Sequence, residues 1–346
     1  METRRVPLIL VTKVVNVRYL TGFSGTAGVA MMGPREGILW IDPRYTLQAK
    51  AQAEGVEVIE ETNGILKGAA TWLRKSGKDE AAYEASGLTC AQFDLLHGQS
   101  GPNLRLKPAG ELIEELREVK DRGEIDAVRR AAYLTADVFA EVLPQVRPGV
   151  AERDLAAEIE YRMRKKGADG AAFETIVASG PRSAYPHARP SSKTLRGGEF
   201  VIFDLGAILD GYAADMTRTV YLGEPTRRVR HLYSAVLKAQ VGAARCVRDA
   251  IPASVIDSAA RRILLRHRLA RYFTHSTGHG VGLEIHEKPR LARRETSCLR
   301  SGSIVTVEPG VYLEGFGGVR IEDTVLVGSD GPEVLTPAPK DGWVIS

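Results

Sequence analysis

The residues best placed by their local sequence to do chemistry are four carboxylates and a histidine between positions 204 and 322 of this 346-residue chain. The first two acids lie in Phe200-Val-Ile-Phe-Asp204-Leu-Gly-Ala-Ile-Leu-Asp210-Gly211-Tyr-Ala-Ala-Asp215-Met-Thr-Arg-Thr219. Asp210-Gly211 between two β-rich runs is the strongest short signal for a hairpin turn. With those residues at the turn, paired positions sum to 421, so 204 faces 217. Asp215, two residues along, projects from the same face as Asp204. Two carboxylates so placed repel unless a cation sits between them.

A second hairpin repeats the arrangement. Ile304-Val-Thr-Val-Glu308-Pro309-Gly310 leads through Glu314-Gly315-Phe316-Gly317-Gly318 into Val319-Arg320-Ile321-Glu322-Asp323, and a turn near Gly315 sets Glu308 opposite Glu322. Any one of these acids alone reads more simply as an edge or turn residue. Two hairpins that each deliver a same-face pair are harder to explain that way, because buried carboxylates need partners. The nearby Arg218 and Arg320 are too few to neutralise four acids.

The histidine comes from His275-Ser-Thr-Gly278-His279-Gly280-Val-Gly282-Leu-Glu-Ile-His286-Glu287, which holds three of the chain's seven histidines. His275 and His279 have a chelating helical spacing, but the glutamate of HExxH is missing and Gly278, Gly280 and Gly282 disfavour a helix. Glycines around His279 suggest close approach of backbone to an ion or substrate. His187, in Tyr185-Pro186-His187-Ala188-Arg189-Pro190, reads as a loop histidine. One histidine with four carboxylates makes a hard, oxygen-rich set, favouring Mn²⁺ or a similar ion over a cysteine-bound structural zinc. Four acids suit two cations, which at about 3.5–4 Å apart activate water for hydrolysis of an acyl or phosphoryl bond.

The elements that must position these groups follow from periodicity. Helical patterns at 124–142 and 152–166 precede the hairpin at 200–221, and others at 226–249 and 254–270 precede the hairpin at 303–328. That repeated order suggests pseudo-two-fold symmetry. Charge rises around Leu116 to Glu124, which places a boundary between domains 1–118 and 119–346. The first domain reads as mixed α/β, with strands at Val6 to Val11 and Gly37 to Ile41 and a helix at Tyr45 to Ala53 after the Asp42-Pro43 turn. Gly22-Phe23-Ser24-Gly25-Thr26-Ala27-Gly28 matches no phosphate-binding spacing and reads as a tight turn between two strands.

Composition narrows the partners. Hydrophobic residues make up 44% and charged residues 26%, as in ordinary globular proteins. The net charge is +4, but 47 Lys and Arg are interleaved with 43 Asp and Glu. The basic clusters Arg227, Arg228, Arg230 and Arg261, Arg262, Arg266, Arg268 fall on helical patterns and read as solvated faces. With aromatics at 6%, no nucleic-acid partner is expected. Cys90, Cys246 and Cys298 form no disulfide framework, which fits a reducing compartment. No apolar run is long enough to span a bilayer, and Val6 to Val11 is too short for a signal-peptide core. A cytoplasmic protein without a membrane partner is the expectation.

Together, DLGAILDGYAADMTRT, HSTGHGVGLEIHE, TVEPGVY and GVRIED resemble the metallopeptidases of the pita-bread fold, a family that includes methionine aminopeptidase, aminopeptidase P, prolidase and creatinase. The resemblance covers residues 119–346 and implies an α+β catalytic domain with pseudo-two-fold symmetry, preceded by a smaller mixed α/β domain. It implies that Asp204 and Asp215 ligate one divalent ion, that His279 and Glu308 help hold another, and that Asp215 and Glu322 bridge. Mn²⁺ is the expected ion, with Co²⁺ or Zn²⁺ as alternatives. Glu308 would shuttle a proton, His187 and His286 would bond the substrate or tetrahedral intermediate, and His275 would line the pocket. Arg320 would orient the acidic ligands. All five ligand positions are intact, which argues against a non-catalytic interaction module on the same fold.

Tyr19-Leu20-Thr21-Gly22-Phe23-Ser24-Gly25-Thr26-Ala27-Gly28 and Asp42-Pro43-Arg44-Tyr45-Thr46-Leu47-Gln48-Ala49 resemble the extra domain of aminopeptidase P and prolidase. The implied activity is cleavage of the Xaa-Pro bond at the N-terminus of short proline-containing peptides, by a homodimer. The reading leans to Xaa-Pro aminopeptidase, with Xaa-Pro dipeptidase as the alternative. A dipeptidase needs a cation for the free C-terminal carboxylate. Arg189, Arg290, Arg293 and Arg294 are candidates for it, a solvated surface role being the other reading of each.

Overall fold

In the computed structural model, residues 8–345 are described, and the chain divides after Arg117 into two compact units. The first contains β1 (Ile9–Val11), α1 (Val14–Thr21), β2 (Gly28–Met32), β3 (Gly37–Ile41), α2 (Thr46–Gln52), β4 (Glu57–Glu60), α3 (Ile65–Lys75), β5 (Glu80–Tyr83), α4 (Cys90–Ser100), β6 (Arg105–Pro108) and α5 (Leu112–Arg117). Of the strand expected at Val6 to Val11, Val6 and Pro7 lie outside the described residues. The strands form one mixed sheet in the order β4-β3-β2-β1-β5-β6. Side chains alternate across it: Leu10, Met31 and Trp40 enter one core with Leu73 and Leu96, while Val11, Ala30 and Ile41 enter another with Val17 and Ile113. Both faces are thereby covered by helices.

The glycine-rich segment 22–28 is not a turn between two strands. It joins α1 to β2, and Gly22 closes the helix with φ 76° and an N–H donated to the Arg18 carbonyl. The valine-rich run before it forms a helix because Val17 and Thr21 are buried on it; tertiary packing overrides the β preference of valine.

The second unit runs through α6 (Arg122–Val142), α7 (Glu152–Lys165), β7 (Gly170–Ala171), β8 (Ile176–Ser179), β9 (Phe200–Leu205), β10 (Ala207–Leu209), β11 (Tyr212–Ala213) and β12 (Met216–Leu222). It continues through α8 (Arg227–Ala244), α9 (Ala253–Arg266), β13 (Gly278–Gly280), β14 (Glu287–Leu291), β15 (Ile304–Val307), β16 (Gly310–Leu313), β17 (Gly317–Arg320), β18 (Asp323–Val327), β19 (Pro332–Val334) and β20 (Val344–Ile345). Asp121 and Glu124 form a reciprocal capping box that starts α6. Phe139 and Ile159 from α6 and α7 pack on Val201, Phe203 and Val220 of the first hairpin. Val236 and Ile256 from α8 and α9 pack on Val305, Val319 and Val325 of the second. Two helices over one hairpin therefore occur twice, an α+β architecture with pseudo-two-fold repetition.

The registers follow the turn arithmetic. Asp204 pairs with Thr217 and Leu209 with Tyr212, and the Asp210-Gly211 turn adopts φ values of 52° and 80°. In the second hairpin Ile304 pairs with Leu326 and Gly310 with Arg320, so one register holds on both sides of an interruption. Glu308 and Glu322 occupy that interruption, beside Pro309, which has no N–H to give the ladder. The freed backbone ties other elements in. Glu308 N–H donates to the Thr277 carbonyl (2.8 Å) and Glu322 N–H to the Thr217 carbonyl (3.1 Å).

Arg261 departs from the solvated face expected of it. On α9 it donates to Asp257 (2.7 Å) and to the carbonyls of Phe273 (3.0 Å) and His275 (2.5 Å). The first hairpin is also interrupted beside its acids, at Gly206, where a Cβ would stand 2.0 Å from the Ala214 carbonyl oxygen. Gly206→Ala is therefore expected to push the strand bearing Asp215 away, costing about 1–3 kcal/mol of stability. Thermal unfolding and metal content of the variant check this; an unchanged Tm with full metal binding would contradict it.

Candidate metal centre

Asp204, near the end of β9, points away from the helices because its neighbours Phe203 and Leu205 are buried against them. Asp215 immediately precedes β12, His279 is the middle residue of β13, and Glu308 and Glu322 stand in the interruption of the second hairpin. All five line one cavity of about 670 Å³, and His187, His275, His286 and Arg320 line it too. The five ligand candidates, the three other histidines and Arg320 are all brought to the same place, as are Arg189 and Arg290, whereas Arg293 and Arg294 do not line this cavity.

The core of the cluster is tight. Ligand atoms of Asp215, His279 and Glu322 lie within 4.8 Å of one another. His279 Nε2 is 3.6 Å from both Asp215 Oδ2 and Glu308 Oε1. The glycines around His279 have a different reason from the one expected. A Cβ on Gly278 would meet the Thr306 carbonyl oxygen at 1.9 Å, and one on Gly280 the Lys288 carbonyl oxygen at 2.0 Å. Close approach of backbone is indeed required there, but to the neighbouring strands rather than to an ion.

Tautomer and charge can be read from the partners. His279 Nδ1 lies 3.0 Å from the Gly280 carbonyl, which can only accept, so the proton is on Nδ1 and Nε2 offers its lone pair to the cluster. Burial lowers the pKa of this ring to about 4, keeping it neutral. Burial, then the charge of Glu322, pushes Asp215 well up; burial, then Glu308 and Asp204, does the same to Glu322. Glu308 is pushed up to about 8, mainly by burial. Asp204 Oδ1 and Glu322 Oε1 are buried with no hydrogen-bond partner among the described residues. Crowded carboxylates, orphaned oxygens and a presented imidazole lone pair fit divalent cations.

Among the described residues, one cation touches the cluster. Arg320 donates to Asp204 Oδ2 (2.5 Å), Thr217 Oγ1 (3.1 Å), the Pro186 carbonyl (3.1 Å) and Tyr312 Oη (2.8 Å). Tyr312 Oη in turn lies 2.9 Å from His275 Nε2, whose Nδ1 faces the Ser276 carbonyl, so the chain of donation runs Arg320 to Tyr312 to His275. Arg218 turns elsewhere: it bonds Asp323 (2.9 Å) and the carbonyls of Thr217, Glu322 and Ala338, and Lys340 also reaches Asp323. Tyr312, Asp257, Arg261 and Asp323 are supporting residues that sequence reasoning missed. Two of them had a signal: Tyr312 stands in the TVEPGVY string and Asp323 ends the GVRIED string.

The model of Metallopeptidase family M24 matches residues 126–329, and that of the Creatinase/Prolidase N-terminal domain matches residues 1–119. The chain belongs to metallopeptidase family M24. Among its relatives, an Xaa-Pro dipeptidase from Pyrococcus furiosus is 34% identical, with 99% of this chain and 96% of the relative aligned. The structure of an Xaa-Pro dipeptidase from Bacillus anthracis is similar at TM-score 0.95 and 38% identity, covering 98% of this chain and 95% of that one. That of an X-Pro aminopeptidase from Thermotoga maritima gives TM-score 0.91 and 34% identity, with 98% of both chains covered. The enzyme is thus a metallo-exopeptidase of the proline-specific branch of its family, dependent on divalent metal ions. Its fold is the one the motifs implied.

Metal uptake must displace protons from these raised carboxylates. Groups whose pKa is raised by folding favour the folded state below the ordinary carboxylate range and lose that contribution as pH climbs through the raised value, here about 8 for Glu308. The metal-free enzyme is therefore expected to lose Tm between pH 6 and pH 8. Added Mn²⁺ should release protons into weak buffer and raise Tm more at pH 8 than at pH 6. A metal-induced Tm shift that is larger at pH 6 would contradict the assignment.

Proposed function

We propose that the enzyme is an Xaa-Pro dipeptidase that hydrolyses the bond before proline in dipeptides. This revises the lean toward an aminopeptidase: the dipeptidases among the relatives weigh toward the alternative, and one feature of the cavity supports it. Of the four candidate arginines, Arg189 and Arg290 line the cavity, and Arg189 is already paired with Glu174 at 3.1 Å. Arg290, exposed on β14 and without an ion pair among the described residues, is left to meet a free proline carboxylate.

In this reading Asp204, Asp215, His279, Glu308 and Glu322 would hold two divalent ions. The oxygen-rich set favours Mn²⁺, with Co²⁺ and Zn²⁺ as alternatives. When bound, such ions lower the pKa of water and stabilise negative charge on oxygen. Glu308 accepts the proton of the attacking water and returns it to the proline nitrogen. His286, whose pKa is lowered by partial burial, and His187 bond the carbonyl oxygen as it gains charge. Arg320 and Tyr312 fix Asp204 and His275 in orientation. The free thiols of Cys90, Cys246 and Cys298 support a cytoplasmic setting. A homodimer completes the reading, as do short proline-containing peptides, rather than nucleic acid or membrane, as partners.

Assaying Xaa-Pro beside Xaa-Pro-Xaa peptides with Mn²⁺ tests the specificity: the dipeptide should be turned over faster, and equal or better use of the tripeptide would restore the aminopeptidase. Arg290→Gln should raise KM for Xaa-Pro about 10- to 100-fold, the worth of a charged hydrogen bond, while leaving the C-terminal amide unaffected. Asp215→Asn should abolish turnover with the circular dichroism retained; near-normal activity would remove Asp215 from the centre. His286→Ala should lower kcat far more than metal content, and parallel losses would make it a structural residue instead.

A further inference from the structure

His187 is carried by the irregular loop between β8 and β9, whose regular structure is limited to a 3₁₀ turn at Gly180–Ala184. An imidazole on such a loop needs its base fixed from outside. The fixing point is Glu152, in the first turn of α7, whose side chain is wholly buried. Its Oε1 accepts from Ser179 N and Ser179 Oγ, both at 2.8 Å. Its Oε2 accepts from Ser191 N (3.1 Å), Ser191 Oγ (2.6 Å) and Arg182 Nε (3.0 Å). Arg182 also reaches across the loop to the Arg189 carbonyl at 2.5 Å.

Segments on either side of His187 are therefore tied to one carboxylate. We propose that Glu152 is a positioning residue for the reaction, holding together the loop segments that flank His187 so that His187 stands at the substrate carbonyl. Neither Glu152 nor its serines line the cavity, so the effect reaches chemistry only through the loop, at whose tip the Pro186 carbonyl accepts from Arg320 at 3.1 Å. A buried carboxylate is expensive to desolvate. Here its cost is offset by donors from loop segments on either side of His187, which an apolar residue of similar size would leave unpaired. The α9 side of the molecule has a parallel: buried Asp257 accepts from Thr277 Oγ1 and Arg261, holding the His275 segment.

The proposal rests on the role given to His187 above, and a double-mutant cycle separates the two. The variants Glu152→Gln, His187→Ala and their combination are compared by kcat/KM on an Xaa-Pro dipeptide with saturating Mn²⁺, with metal content and Tm measured alongside. Glu152→Gln keeps an acceptor for Ser179 but turns an amide donor toward Ser191 and Arg182. It should lower kcat/KM at least tenfold at full metal content, yet lower it less than threefold further when His187 is already alanine. Ser191→Ala, which removes a single donor and keeps the fold, should show a smaller loss that is equally silent in the His187→Ala background. Losses that multiply in the double variant, or wild-type kcat/KM for Glu152→Gln, would overturn the clamp while leaving His187 in its role. Near-normal turnover of His187→Ala would remove that role and the clamp with it.

Discussion

Four carboxylates drawn into one cluster, with Arg320 the one arginine bonded to them among the described residues, are an arrangement that the protein's own charges cannot stabilise. Asp215, Glu308 and Glu322 are each pushed toward protonation by burial and by neighbouring acids, and Asp204 Oδ1 and Glu322 Oε1 lack partners among the described residues. Tightly packed like charges of this kind are tolerated where cations or protons complete them. Much of the second unit can be understood as the scaffold that keeps these groups together despite their repulsion.

That scaffold works by interrupting its own sheets. Each hairpin keeps a single register from end to end but breaks its ladder beside its acids, at Gly206 in one and at Glu308-Pro309 in the other. The backbone groups released there bond the other elements: Glu322 to the first hairpin, Glu308 to the strand of His279. Convergence of three distant segments is thus fixed by main-chain hydrogen bonds, which side-chain substitution cannot easily shift.

Around this frame, buried ionic groups lock the parts that a sheet cannot reach. Asp323 shows the pattern. Burial pushes its pKa up, but Arg218 and Lys340 outweigh that and hold it below the usual range, so it stays charged and ties the segment at Thr336–Lys340 beneath Glu322. Asp257 holds the His275 segment and Glu152 the loop of His187. Groups of this sort are costly in isolation and strongly destabilising when half-removed, which suits them to fixing one conformation out of several.

The metal-binding chemistry was legible in the sequence because its signals are local. Asp210-Gly211 fixes a turn, a turn fixes a register, and a register decides which acids share a face; the same arithmetic set Glu308 against Glu322. Helix spans near 122–142 and 227–244 were legible for the same reason, through apolar periodicity. What lay beyond reach were relations between segments far apart in the chain. The helix at Val14–Thr21, the engagement of Arg261 with the His275 segment, and the crowding that demands Gly278 and Gly280 depend on neighbours that only folding supplies. Local steric preference and side-chain period are written residue by residue, whereas burial and partner choice are properties of the assembled surface, and those the tertiary structure alone decided.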